Sequence, residues 1–316
     1  MPRYLKGADV STILLVDTVS LLAVNQSGCL KDDRCLVGAW SRQGLGSPWA
    51  LQGAGSGCAW CRHAGCAVRL ILEEKGRKLM GVAQQGGQSM CGRLNVIDAP
   101  IMAFLSEYLS VVPVIESQAN IAPTENVWVL NRQSHQWQVT SMRWWLVPSW
   151  SKGPQHKFSM FNARAETLAT KPAYRDSFRR RRCVIPVSGY FEWRKTTSKP
   201  QPMYFEPAED PVLLLAGLWD QWQGEGTSVT SCTIVTTAAT EAMAGFHHRL
   251  PLMLSHQEVD LWVDPETPQA RLSELMMPRL RAPLLATDVS TTVNNAREKS
   301  RAAQLPLGDP RLIAPD

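Results

Sequence analysis

The character of the chain changes at Met90, and that break limits what it can fold into more than any other feature. Upstream, an apolar run gives way to Gly44-Leu45-Gly46-Ser47, Gly53-Ala54-Gly55-Ser56-Gly57 and Gln84-Gln85-Gly86-Gly87-Gln88-Ser89. Apolar periodicity there is brief and interrupted. Such a stretch buries too little surface to offset the entropy of ordering it. Residues 1–89 are therefore expected to be a poorly structured extension, or text upstream of the true start. Downstream, short β-type runs (Val127–Leu130, Gln138–Trp145, Arg182–Pro186, Pro211–Leu218, Ser231–Thr236) are separated by turn residues. Helices are few. Asp98 can cap one that carries Ile101, Phe104, Leu105, Tyr108 and Leu109 on one face. Ser255-x-x-Glu258 is a capping box opening a second, and residues 268–277 make a third, stopped at Pro278. The expectation is an α+β fold from residue 90 onward, with a curved, largely antiparallel sheet and peripheral helices, and a tail over 308–316.

Composition excludes some classes. No run of eighteen apolar residues exists, so no membrane helix is expected. A net charge of +5 is compatible with nucleic acid without requiring it. Only Cys91, Cys183 and Cys232 follow residue 90, too sparse for a disulfide framework, which points to a reducing, cytoplasmic setting. Residues 1–24 mimic a signal peptide, but Asp17 interrupts the apolar run and no clean cleavage site follows. Cys58, Cys61, His63 and Cys66 lack the second paired half of a zinc site, so no metal and no cofactor is expected. There is no G-x-S-x-G elbow, Walker loop or H-E-x-x-H motif.

Chemistry concentrates in a handful of segments: Met90-Cys91-Gly92-Arg93, Asn120-Ile121-Ala122-Pro123, Met142 to Trp150, Phe161-Asn162-Ala163-Arg164-Ala165-Glu166-Thr167, Gly189-Tyr190-Phe191-Glu192-Trp193 and Phe246-His247-His248-Arg249-Leu250-Pro251. A cysteine alone is more often a small core residue. Cys91 differs because it follows a methionine that, as an initiator, would be removed. The α-amine then freed, with a pKa of roughly 8, is partly neutral at neutral pH. Amine and thiol together react with aldehydes: a Schiff base forms, and the thiol closes a five-membered thiazolidine. Glu192 among aromatics suits a general acid, or an outward strand position. Of the adjacent His247 and His248, at most one should line a given pocket. Asn162 and Arg164, two apart on a strand, share a face and could bind a substrate or a hydrogen-bond network beneath the sheet. Nine tryptophans follow residue 90, and Trp144 and Trp193 stand beside an Arg, which suits base stacking next to phosphate as well as core packing.

In this order and spacing, M-C-G-R, N-A-R-x-E-T, G-[WFY]-[FY]-E-W and H-x-R-x-P resemble the SRAP family, the SOS response-associated peptidases or abasic-site processing proteins, over residues 90 to about 307. The resemblance implies one compact α+β domain over residues 90–307 with a barrel-like, mainly antiparallel sheet and a basic groove for single-stranded DNA. It implies that Cys91, as N-terminal residue, forms a thiazolidine crosslink with the ring-opened sugar of an abasic site and shields the lesion. It gives Asn162 the orienting of amine and thiol, Glu192 acid–base work, and His247 the promotion of Schiff-base formation and reversal. Arg93, Arg164 and Arg249 then face DNA phosphates, and Trp144 lies on the DNA path. A lyase side reaction and peptidase processing before Cys91 also follow from it. A monomer is expected, in the cytoplasm and on the nucleoid when bound to DNA.

Two departures stand out. Trp145 occupies a position where W-G-[LYW]-x-P usually has Gly, which bears on DNA stacking and groove width. And with 90 residues ahead of it, Cys91 has an amide nitrogen that cannot make a Schiff base. Initiation at Met90, cleavage before Cys91, or a long form without crosslinking activity are the alternatives. As function, a cysteine peptidase and a non-catalytic single-strand-binding module compete with the crosslinking reading.

Overall fold

The structure, a computed structural model, describes the strands within residues 20–82 and then residues 92–315 apart from 155–158 and 225. The chain divides into two units, Met1–Gln88 and Ser89–Asp316. In the first, β1 (Ser20–Asn25), β2 (Ala39–Ser41), β3 (Ala50–Gln52), β4 (Val68–Glu74) and β5 (Arg77–Val82) form a five-stranded antiparallel sheet in the order β3-β2-β1-β4-β5. Cys58, Cys61, His63, Cys66 and Cys91 lie outside the described residues.

The second unit begins with β6 (Arg93–Val96), α1 (Asp98–Ser106) and β7 (Gln118–Ile121). Ile97 is the N-cap of α1, one residue before the expected Asp98; Asp98 instead sits in the first turn, where its carboxylate accepts from the Ala99 N–H at 2.8 Å. Ile101, Phe104 and Leu105 are buried as their spacing requires. Next come β8 (Asn126–Gln133), β9 (Gln136–Trp144), β10 (Asn162–Arg164), α2 (Arg175–Arg180), β11 (Arg182–Val187), β12 (Gly189–Arg194) and β13 (Gln201–Pro207). The rest are β14 (Leu213–Gly224), β15 (Thr227–Ala238), α3 (Glu241–Ala244), β16 (Arg249–Pro251), β17 (Met253–Leu254), α4 (His256–Val263), α5 (Gln269–Leu275), β18 (Leu284–Asp288) and β19 (Arg311–Ile313). The capping box at Ser255 and Glu258 is formed, with the Ser255 N–H donating to Glu258 Oε2 at 2.9 Å.

Five strands close a barrel in the cyclic order β15-β9-β8-β11-β14. All neighbours are antiparallel except β9 and β15, whose parallel pairing of Ser231 with Arg143 and Cys232 with Trp144 seals it. The length of β15, twelve residues, is what permits this. Beyond its stretch on β14 it extends along β10 in parallel (Asn162 opposite Ile234) and along β16 antiparallel (Arg249 opposite Ala238). A second, six-stranded sheet runs β19-β18-β13-β12-β6-β7. The main core takes inward residues of both sheets, including Leu94, Tyr190, Phe205 and Leu215, together with Trp262 from α4. A smaller cluster, Phe191, Tyr204, Val289, Val293 and Ala303, covers the other face of β12 and β13.

Asn120 belongs to this scaffold. It is fully buried at φ +53°, and its amide donates to the carbonyls of Val293, Asn295 and Glu298 at 3.0–3.1 Å. It thereby pins the segment after β18 against β7.

Candidate active site

Alternation along β12 sets up the site. Tyr190 and Glu192 share one face, Phe191 and Trp193 the other. Tyr190 stacks on Phe205 in the main core (5.0 Å between centroids), while Phe191 and Trp193 join the smaller cluster. Both faces are covered, so Glu192 is only 5% exposed, and the outward-facing alternative falls. A buried carboxylate requires polar neighbours. One Glu192 oxygen accepts from the Trp193 N–H at 3.1 Å, and the same oxygen lies 4.0 Å from His247 Nε2.

His247 comes from the turn between α3 and β16 and is 6% exposed. Its Nδ1 accepts from the Arg249 backbone N–H at 3.1 Å. The Arg249 carbonyl lies 3.4 Å from the same Nδ1, so this nitrogen meets both a donor and an acceptor; the shorter contact favours the neutral tautomer with its proton on Nε2, the nitrogen facing Glu192. Burial, then the charge of His248, pulls the His247 pKa down to about 4. His247 is thus neutral at pH 7. The adjacent His248 is exposed, as expected for consecutive residues, with its ring 4.2 Å away. Its pKa is also lowered, by desolvation and by Lys195, Arg249 and Arg164. Those three cations define an electropositive rim. Lys195, directly after β12, is a member that sequence reasoning missed; an exposed lysine carries no motif.

Arg249 is half-buried and its fork is occupied. Nη1 and Nη2 donate to the two carboxylate oxygens of Glu166 at 2.5 and 3.0 Å, and Nη2 also to the Thr236 carbonyl at 2.5 Å. The guanidinium holds the Glu166 carboxyl below its ordinary range. Asn162 and Arg164 do share a face of β10, with Ala163 buried between them on the other. Arg164 is exposed, while Asn162 is half-buried with its carbonyl accepting from Tyr174 Oη at 3.4 Å. On the other side of Glu192, Arg93 opens β6 opposite Phe191. Its guanidinium lies 5.7 Å from the centre of the Trp193 ring, and that indole is held by Asn294 at 2.7 Å.

Trp144 is corrected. It is fully buried, donates to the Phe161 carbonyl at 2.9 Å and meets the Phe161 ring edge-on. A side chain with no accessible surface cannot stack on a base, so Trp144 is a strut beneath β10. Trp145 lies partly buried against the same Phe161 at 5.6 Å, filling the space its bulk needs from the protein's own packing. Among the described tryptophans Trp150 is the most exposed, at 61%. Among the described residues no cluster of His, Cys, Asp and Glu could hold a metal, and no helix is long and apolar enough to cross a membrane.

In the second unit, a closed barrel flanked by a second sheet, with a buried carboxylate–imidazole pair beneath a cationic rim, defines an α+β fold with the makings of an acid–base site. The chain matches the family described as SOS response associated peptidase (SRAP) over residues 90–296, and it belongs to that family. It is 33% identical over 184 residues to the abasic site processing protein YoaM of Bacillus subtilis, covering 57% of this chain and 81% of that protein. It is 31% identical over 187 residues to the abasic site processing protein HMCES of Xenopus tropicalis, covering 51% of this chain and 55% of that one. Among solved structures, a protein from Bacteroides thetaiotaomicron superimposes with a TM-score of 0.55 at 23% identity, covering 67% of this chain and 99% of the other, which shows the shared fold.

Proposed function

We propose that this protein processes abasic sites in DNA, forming a thiazolidine between a terminal Cys91 and the aldehyde of the ring-opened sugar in a single strand. The observation that carries the reading is the buried Glu192–His247 pair, on a strand whose neighbour β6 starts two residues after Cys91. The names of the relatives and the cationic rim around His248 support the same substrate.

The chemistry has three proton-coupled steps. The Cys91 amine adds to the aldehyde carbon. The resulting carbinolamine expels its hydroxyl as water, with Glu192 supplying the proton and the His247 Nε2–H hydrogen-bonding the departing oxygen. The thiol then adds to the imine carbon, its proton passing to the nitrogen. One water leaves overall, so the adduct weighs one water less than its two components. Asn162 would orient amine and thiol. Arg93, Arg164 and Lys195 would take the flanking phosphates, whereas Arg249, its fork engaged and its Nε buried, would add only its charge to the rim. The Schiff base also permits β-elimination, hence a lyase side reaction. Peptidase activity enters as processing of the bond before Cys91. Residues 1–89 are then either cleaved off or upstream of initiation at Met90, and the processed domain acts as a monomer.

The test is incubation of the protein beginning at Cys91 with an abasic oligonucleotide. A heat-stable shifted band, absent for Cys91→Ala, is the expected result. Strand cleavage without a crosslink would favour a lyase, and DNA binding unaffected by Cys91→Ala with no adduct would leave only a binding module.

A further inference from the structure

We propose that Glu166 is a positioning residue: it seats the guanidinium of Arg249 and, through the Arg249 backbone, fixes the ring of His247. The inference rests on His247 belonging to the reacting site. Glu166 itself lies in the turn after β10, and its side chain is half exposed, so it meets solvent rather than the buried pair. Its two oxygens nonetheless take both ends of the Arg249 fork at 2.5 and 3.0 Å. The same guanidinium donates to the Thr236 carbonyl at 2.5 Å and to Thr236 Oγ1 at 3.2 Å. Thr236 Oγ1 in turn donates at 3.4 Å to the carbonyl of Ala163, the residue between Asn162 and Arg164. One arginine side chain therefore spans from β16 across the end of β15 to the turn after β10. It couples the strand that carries Asn162 to the residue whose N–H holds His247 Nδ1 at 3.1 Å.

This arrangement assigns Glu166 two effects. Planar, bidentate pairing fixes Arg249 in rotation as well as position, which keeps its N–H aimed at Nδ1 and the Nε2 proton aimed at Glu192. It also withholds the fork from phosphate. Removing Glu166 should loosen the histidine and at the same time release a cation toward DNA. A residue that merely stabilises the fold would not do the second.

The experiment uses Cys91-start protein with wild-type, Glu166→Ala and Glu166→Gln sequences. Single-turnover crosslinking to an abasic single strand is followed at several salt concentrations, with 15N NMR of the His247 ring in parallel. For Glu166→Ala the rate at saturating DNA should fall about tenfold, equivalent to about 1.4 kcal/mol in the barrier. DNA affinity should hold or tighten, its logarithmic salt slope steepening by roughly 0.7 for one added phosphate contact on a single strand. Glu166→Gln, which keeps one acceptor, should fall between, and it carries the test if the alanine variant does not fold. In the NMR arm the Nε2–H tautomer favoured by the Arg249 N–H should give way to a more even mixture. A wild-type rate and an unchanged tautomer in the variants would overturn the proposal, as would a rate loss explained entirely by weaker DNA binding with a shallower salt slope. Failure of the wild type itself to crosslink would count against the abasic-site reading instead, and the NMR arm would still decide whether Glu166 fixes His247.

Discussion

Replacing His247 by Gln tests the electrostatics of the buried pair without reference to DNA. In the folded protein the His247 pKa is about 4, set first by burial, against an ordinary 6.5. Above pH 6.5 the ring is neutral both folded and unfolded, and nothing is lost. As pH falls from there, the unfolded chain takes up a proton that the folded protein refuses, so stability declines until the folded ring also titrates near pH 4. A tenfold difference in proton affinity between the two states corresponds to about 1.4 kcal/mol, so acidification across this window should cost on the order of 3 kcal/mol through His247 alone. The ring is almost wholly enclosed, so solvent screening takes little from that figure. Urea denaturation at half-unit pH steps, for wild type and His247→Gln, measures it. Glu206, whose carboxyl burial pushes above its usual range, has the opposite pH dependence, but it is common to both proteins and cancels in the difference. The wild type should lose stability more steeply between pH 6.5 and 4, with the excess accumulating to that order. Coincident slopes, or a ring titrating near 6.5 by NMR, would refute the claim that His247 is neutral by burial.

Other outcomes follow from particular contacts. Gly189→Ala would drive a methyl into Tyr204 Oη and the Phe205 carbonyl, separating β12 from β13; a loss of about 3 kcal/mol is expected in chemical denaturation. Trp144→Ala empties a fully buried site and orphans the Phe161 carbonyl, so unfolding free energy should drop by about 3–5 kcal/mol, while DNA affinity of the protein that remains folded should not change. Arg164→Ala leaves the core untouched because the side chain is exposed; in fluorescence anisotropy it should weaken single-strand binding and flatten the logarithmic salt slope by roughly 0.7.

What could be read from the sequence divides along the range of the interactions. Strands with strong β-type runs, β8, β9, β11, β14 and β15, were legible because alternation and turn residues are local signals. The closing of the barrel was not, since it depends on the parallel contact of Ser231 and Cys232 with Arg143 and Trp144, residues some ninety positions away. The short strands β16 to β19 escaped for a related reason: two to five residues carry too little periodicity of their own. At the site, Glu192 and His247 were legible as candidates through their motifs, but their burial and mutual approach were not. Trp144 misled because a tryptophan beside an arginine reads alike whether it stacks on a base or fills a core. Glu166 and Lys195 went unassigned, since their roles arise from partners on other strands. The first unit was the hardest stretch: β4 and β5 are recognisable afterwards as Val-Arg-Leu-Ile-Leu-Glu-Glu and Arg-Lys-Leu-Met-Gly-Val, yet they are set in Gly- and Gln-rich text that hides the pattern.

The central claim joins a buried acid–base pair to an amine that exists only when Cys91 begins the chain. Intact mass spectrometry of two proteins, the 316-residue chain and the form starting at Cys91, each incubated with the same abasic single strand, tests it most directly. The account predicts an adduct on the Cys91-start form alone, one water lighter than the sum of protein and DNA. An equal adduct on a long chain that has not been cleaved, or none on either, would contradict it.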